Sequence, residues 1–335
     1  MVRSTLRPVV PLAAMAAALL AAAASAQDVR FFRIATDATS SSLFAIGAAI
    51  AAGISNPPGS RSCGLGGSCG VPGLIAAAQS THGGMENLQL LEQGRIDSAF
   101  VQADLLYWAY HGTGPYQGSS RMADLRVIAS LLPLALHVVV RKDAEFQDVA
   151  GLAGQRVSLG PEGSGSRINA RTVLMAYGVS EDEIEPAFLN PGAAMYALAA
   201  REIDAAIIVG AYPVPAIDSL ARRMPIRLLP ISGVPGEELA SFYPFFSVTD
   251  IPAGTYDAVE AVPTVSIAVQ WVIRASAESA FVEALTRALW HDNTQRLLRE
   301  NHSFGSRVLL ENALSKVAIP LHPGAESWYR ATGIK

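Results

Sequence analysis

The densest concentration of potential chemistry in the chain is residues 159–171, LGPEGSGSRINAR. A strand-like run over 156–159 breaks into small polar residues and then into a helix-like run carrying Arg167 and Arg171. A helix start leaves backbone N–H groups unpaired and carries partial positive charge, so Gly163, Ser164, Gly165 and Ser166 could present donors to an anion. Arg171 stands one helical turn beyond Arg167 and could meet a carboxylate with two parallel hydrogen bonds. The competing reading is structural: Ser166 caps its own helix, and the arginines pair with Glu162, Glu181 or Asp182.

Other chemistries fit less well. Gly160 and Gly165 have the spacing of a phosphate-binding loop, but Ser166 and Arg167 follow where Lys and Ser/Thr are needed. The dinucleotide pattern G-x-G-x-x-G and the zinc pattern H-E-x-x-H are absent, and Ser164 has Glu162 where a nucleophile elbow needs its first glycine. An exported hydrolase would have to recruit Ser164 or Ser166 to a distant base such as His137, because geometry defines a triad and sequence spacing does not.

A second small, polar segment precedes another helix-like run: Thr36, Asp37, Thr39, Ser40, Ser41 and Ser42 follow an apolar stretch over 31–35. Ser42 could equally serve only as its own helix cap. Gln102 and Asp104 follow the run that ends FVQAD, and Gly210 and Tyr212 end the run VGAYP. Side chains at such strand ends face the ligand crevice of open parallel sheets. Asp104 could instead cap the next helix, and Tyr212 could be core.

Elements that could hold these residues alternate along the chain. Strands are expected over 31–35, 74–79, 97–101, 127–131, 137–141, 156–159, 204–209, 227–230 and 265–273. Helices are expected over 43–52, 84–92, 168–177, 193–201, 214–222 and 278–290. Alternation of this kind is the pattern of α/β folds with largely parallel sheets. The 107–110 stretch YWAY reads as amphipathic helix packing, and 56–60 and 231–237 read as loops. One design recurs: RIDSAF at 95–100 and EIDAAI at 202–207 each follow a helix and start a strand, which suggests two lobes of similar build.

The bulk properties define the setting. Residues 1–26 read as an export signal, with Arg3 and Arg7 before an Ala/Leu stretch and Ala24-Ser25-Ala26 as the cleavage site; its apolar core is too short to span a bilayer. The chain from residue 27 onward is long enough for two domains. The formal charge is −4 and becomes more negative once Arg3 and Arg7 are lost, with no Lys/Arg cluster to follow a phosphate backbone, so nucleic acid is not an expected partner. In an oxidising compartment Cys63 and Cys69 are expected to form a disulfide closing a small Gly-rich loop. No metal site is expected, since no histidine lies near them in sequence.

Five segments carry a family likeness: CGVPGLIAAAQS (69–80), FVQADLLYWAYHGTG (100–114), RKDAEFQDVAGLAGQRVSLGPEGSGSRINARTVLMAYG (141–178), YPFFSVTDIPAGTY (243–256) and ENALSKVAIPLHPGAESWYR (311–330). In this order they resemble the TRAP-associated extracytoplasmic immunogenic (TAXI) solute-binding proteins. The resemblance implies a type II periplasmic-binding-protein fold, two α/β lobes joined by hinge strands with the ligand cleft between them. Residues 27–136 and 261–335 would form lobe I and 137–260 lobe II, with crossings near 134–137 and 258–265. It also implies a periplasmic receptor capturing a small organic anion such as glutamate or 2-oxoglutarate for the membrane subunits of a TRAP importer; a receptor contacting a membrane sensor is the alternative, and a monomer without cofactor is expected. The first-loop region, Gln102, Gly163–Ser166 and Tyr212 become ligand-facing on this reading. The chain departs from the family at the first loop, where a Gly-rich segment ending in Tyr-Tyr-Pro is replaced by TDATSSSLFA, 36–45. Asp37 adds a negative charge there, so it either points away or meets a cationic group such as an ammonium.

Overall fold

The structure is a computed structural model and describes residues 29–39, 41–301 and 304–334. The expected export signal and Ser40 lie outside the described residues. Ten strands form one curled sheet: β1 (Arg30–Ala35), β4 (Leu74–Gln79), β5 (Ser98–Gln102), β6 (Leu125–Arg141), β7 (Arg156–Ser158), β8 (Glu185–Ala187), β9 (Ala205–Gly210), β10 (Ile226–Leu229), β11 (Phe246–Ile251) and β12 (Val262–Arg274). The short strands β2 (Ser55–Asn56) and β3 (Val71–Pro72) pair separately.

The strand order β4-β1-β5-β12-β6-β9-β7-β8 contains the same arrangement twice. In the first half β1 lies between β4 and β5, all parallel, and β5 pairs antiparallel with β12. In the second half β7 lies between β8 and β9, all parallel, and β9 pairs antiparallel with β6. The long strands β6 and β12 pair with each other at the centre and join the halves.

The repeated I-D-[SA]-A motif has a physical reason. Asp97 accepts the Arg33 backbone N–H at 2.8 Å and its Nε at 3.4 Å. Asp204 accepts the Arg156 backbone N–H at 3.1 Å and its Nε at 2.8 Å. Each aspartate sits just before its strand and pins the arginine just before the register at which the neighbouring parallel strand pairs: Ile34 with Ser98, and Val157 with Ala205. The sequence echo therefore encodes strand alignment, performed identically in the two halves.

Helices cover both faces: α1 (Ser42–Ile54), α2 (Gly84–Glu92), α3 (Ala103–His111), α4 (Gly165–Ala176), α5 (Pro191–Ala199), α6 (Pro215–Ala221), α7 (Gly233–Phe242), α8 (Ser279–Leu289), α9 (Asp292–Asn301) and α10 (Pro323–Thr332). Three buried apolar clusters result. One belongs to the first half, with Ile34, Ile50, Trp271 and Leu285; one to the second, with Val139, Ile208 and Ile217. The third runs between the halves, putting Leu105 and Leu106 of α3 with Leu159, Ala170 and Val173 around α4. Among the described residues no helix is long and apolar enough to cross a membrane.

The structure corrects two expectations. Strands expected over 127–131 and 137–141 are one strand of 17 residues; Pro133 is exposed and tolerated within it, while buried residues on either side continue the run. The 231–237 segment is not a loop: Gly233, at φ 64°, starts α7. The YWAY stretch is helical as expected, with Trp108 against Phe245 at 5.1 Å. Cys63 and Cys69 form the expected disulfide.

Candidate functional site

The carboxyl ends of β1 and β5 and those of β7 and β9 converge at the junction of the two halves, because each half ends its parallel strands toward the other. Thr36 follows β1 and is buried; its Oγ1 donates to the Gln79 carbonyl at 3.0 Å. Buried Asn87 on α2 holds this loop from below, donating to the Thr36 carbonyl at 2.7 Å and the Phe100 carbonyl at 2.8 Å and accepting from Thr81 Oγ1. Asn87 is a site-shaping residue that sequence reading passed over, since a lone Asn inside a helical pattern carries no motif. Asp37 accepts the Ala38 N–H at 2.8 Å, and its Oδ1 would stand 3.8 Å from a Cβ at Gly83, the residue preceding α2. Its charge thus lies beside the positive start of α2. Thr39 is exposed and Ser41 half-buried.

The helix starts cap themselves, with caps earlier than expected. Ser41, not Ser42, accepts the Leu43 N–H at 3.2 Å to start α1, and Ser164, not Ser166, accepts the Arg167 N–H at 3.3 Å to start α4. The cap residue is extended, and both chains enter the helix immediately after it. Gly160 makes the turn out of β7 possible: its φ is 94°, and a Cβ there would press on Ser166 Cβ at 2.9 Å. Gly163, also left-handed at φ 71°, lies exposed at the tip of the loop.

The two halves touch at Gly165. A Cβ there would collide with Gln102 Oε1 and approach Leu105 Cδ1 to 3.0 Å, so the absence of a side chain is what lets α4 seat on the end of β5. Directly behind it Asp104 is completely buried, and neither of its carboxylate oxygens makes a well-aligned hydrogen bond. Burial pushes its carboxyl up to about 7; the Leu105 backbone N–H and the Asn169 amide pull the other way without cancelling the desolvation. Asn169 on α4, also buried, donates to the Gly165 carbonyl at 3.0 Å while its own Oδ1 has no partner. Asp104 and Asn169 thus put unsatisfied oxygens from both halves at one buried spot.

On the other side of the sheet, β9 leads through half-buried Gly210 into Ala211 and Tyr212. Ala211 packs in the first-half cluster with Phe304, and Leu43 of α1 lies against the same cluster. The Arg307 guanidinium lies over the Tyr212 ring, 4.1 Å from its centroid. Beneath, the Val214 N–H donates to Tyr256 Oη at 2.9 Å, and that hydroxyl meets His137 Nε2 at 3.0 Å. His137 Nδ1 faces the Ala135 and Ile208 carbonyls, which only accept, so Nδ1 carries the proton and Nε2 accepts from Tyr256. Burial pulls the His137 pKa down to about 4.

The structure therefore sets Gln102 against Gly165, Asp104 beside Asn169 and Tyr212 against Arg307, and engages other candidates elsewhere. Arg171 is exposed and pairs with Glu181 at 2.9 Å, sharing that carboxylate with Arg167 at 2.7 Å, the surface pairing that sequence reading weighed against ligand contact. The pieces of the hydrolase alternative are not assembled. Ser164 Oγ donates to the Pro161 carbonyl at 2.6 Å, and the His137 ring is spent on Tyr256 and two carbonyls. A G-x-S-x-G spelling does occur around Ser68, but it lies inside the disulfide loop, with Ser68 Oγ donating to the Ser55 carbonyl, and not at a strand-to-helix turn.

Tertiary structure also places a histidine where sequence separation hid it. His291 Nε2 lies 3.8 Å from Cys63 Sγ, and Cys63, Cys69 and His291 offer atoms within 4.8 Å of one another. Both sulfurs are committed to the disulfide, and His291 Nδ1 accepts the Asn293 N–H at 3.1 Å.

Solved structures are similar to this chain at low sequence identity. The chain is similar to PhnD1 from Prochlorococcus marinus in complex with methylphosphonate, with 12% identity over 91% of this chain and 99% of that one and a TM-score of 0.53. The alkanesulfonate-binding protein SsuA from Xanthomonas axonopodis pv. citri, bound to MOPS, is 20% identical over 91% and 85% of the two chains, at a TM-score of 0.49. A TctC solute binding protein from Polaromonas is 12% identical over 85% and 95%, also at 0.49. The PhnD1 likeness shows that the two chains share this mixed α/β fold. The sequence model of the NMT1-like family matches residues 34–333, nearly the whole described chain, and the chain belongs to that family.

Proposed function

We propose that this protein is a periplasmic solute-binding receptor that captures a small organic anion between its two halves and delivers it to a membrane importer of the TRAP type, as a TAXI-like member of its family. The observation that carries this reading is the seating of α4 on β5 through Gly165 and Gln102: two similarly built halves meet at the carboxyl ends of their parallel strands, where crevices of such sheets take ligands. Lobe I comprises residues 27–136 and 261–335 and lobe II residues 137–260, with β6 and β12 as the strands about which they part. The ligand enters the parted junction and contacts the first loop (Thr36, Asp37, Thr39, Ser40, Ser41), Gln102, Gly163–Ser166, Gly210 and Tyr212. No cofactor takes part and no bond of the ligand is broken. The relative of this fold solved with methylphosphonate supports an anionic ligand class; glutamate and 2-oxoglutarate are the first candidates.

Thermal unfolding of the purified protein from residue 27 onward, with and without a panel of dicarboxylates, amino acids, phosphonates and sulfonates, tests this. A ligand that binds only the folded state, at one hundred times its Kd, adds about 2.7 kcal/mol of stability and raises Tm. A panel that leaves Tm unmoved at millimolar concentration refutes the receptor reading.

A further inference from the structure

Arg307 packs against Tyr212 across the junction, yet it belongs to a segment in which the sequence shows no motif. It ends a short 3-10 turn, Gly305–Arg307, whose backbone is fixed by the Arg307 N–H donating to the Phe304 carbonyl at 2.9 Å and by flanking Phe304 and Val308, both buried. Gly305 presses on the Leu298 backbone so closely that no side chain fits there, which anchors the turn to the end of α9. From this base the guanidinium reaches across to the second half, 4.1 Å from the Tyr212 ring centroid and 5.8 Å from the Phe304 ring centroid.

Stacking engages the face of a guanidinium and leaves its N–H groups, which lie in the plane, unused. Among the described residues no carboxylate pairs with Arg307 and no acceptor takes a hydrogen bond from its side chain. Other arginines of the second half differ: Arg222 is paired with Asp218, and Arg167 and Arg171 with Glu181. A half-buried guanidinium, oriented by two aromatic rings and with its fork unpaired, is matched to an anionic head group carrying two oxygens in reach of that fork.

Resting on the receptor reading above, we infer that Arg307, and not Arg171, is the residue that recognises the anionic head group of the ligand, with Tyr212 of the opposite half holding the guanidinium in the orientation that presents its fork. The ligand class is a carboxylate, phosphonate or sulfonate, whose oxygens take the parallel N–H groups. Since Arg307 and Tyr212 come from different halves, the same contact links head-group binding to closure.

The test measures Kd by titration calorimetry for glutamate, 2-oxoglutarate, methylphosphonate and an alkanesulfonate on the wild-type protein, then on Arg307→Gln, Arg307→Lys, Tyr212→Leu and Arg171→Gln. For whichever probe binds, Arg307→Gln is expected to weaken affinity at least a hundredfold. Arg307→Lys, which keeps the charge but loses the fork, weakens it about tenfold, Tyr212→Leu weakens it severalfold, and Arg171→Gln leaves it within twofold. An unchanged Tm of the ligand-free variants certifies that they fold; should Arg307→Gln fail to fold, Arg307→Lys carries the comparison. Wild-type binding that survives both Arg307 substitutions overturns the assignment and leaves the receptor reading standing. Wild-type protein that binds none of the anions overturns both.

Discussion

Substituting Asp104 with asparagine should make this protein more stable at neutral pH. The carboxyl is fully buried where α3 meets α4, without a well-aligned partner for either oxygen, and its pKa rises from 3.8 to about 7, chiefly by desolvation. That is a change of roughly three units, and at 1.36 kcal/mol per unit it amounts to about 4 kcal/mol. The direction comes from proton counting. Between pH 3.8 and about 7 the folded protein holds a proton that the unfolded chain has released, so stability falls as pH rises through that window and the full cost persists above it. Asn removes the ionisable charge and keeps the shape of the side chain. Urea unfolding of both proteins at several pH values isolates the effect, because other carboxylates cancel in the difference. Asp204 is one of these: its hydrogen bond from Arg156 lowers its pKa to about 2, so its contribution is present above 3.8 and lost as pH falls toward 2. Asp104→Asn should gain on wild type by about 1.4 kcal/mol per unit from pH 5 to 7 and level off near 4 kcal/mol at pH 8. A difference that is flat with pH, or a variant less stable at pH 8, would refute the placement of an uncompensated carboxyl at this junction.

Two further substitutions probe the same region. Gly165→Ala should cost about 1 kcal/mol by crowding Gln102 and Leu105, and adding Gln102→Ala should restore most of the loss; a double variant no better than the single one, by thermal unfolding, would show that the two residues do not touch. Tyr256→Phe strips the bridge between the Val214 N–H and His137 Nε2 and should destabilise by about 1–3 kcal/mol, since both are left buried without their partner; denaturant unfolding within error of wild type would contradict the tautomer assigned to His137.

Much of the scaffold was legible because it is local. Apolar alternation located β4 and α2 to the residue, and the I-D-[SA]-A echo marked two points where an aspartate aligns parallel strands. The missed pieces lacked a local signal. Strand β11 has mixed exposure, with Val248 on the surface, and exists because it pairs with β12; β6 looked like two strands because Pro133 interrupts the residue pattern without interrupting the ladder. At the site, sequence located the strand-end residues Gln102, Gly210 and Tyr212, but it placed the helix caps late and could not tell Arg171, spent on Glu181, from an arginine with a free fork.

The sequence by itself determined the two α/β halves, their strand-end loops and the disulfide partners, since backbone periodicity, turn chemistry and the availability of only two cysteines act over short stretches of chain. Only the tertiary structure decided which polar groups meet: Gln102 against Gly165, Asp104 beside Asn169, Arg307 over Tyr212 and His291 beside Cys63. Pairing and desolvation depend on distance in space, which strands β6 and β12 set by folding remote segments together, and no pattern of neighbours along the chain encodes it.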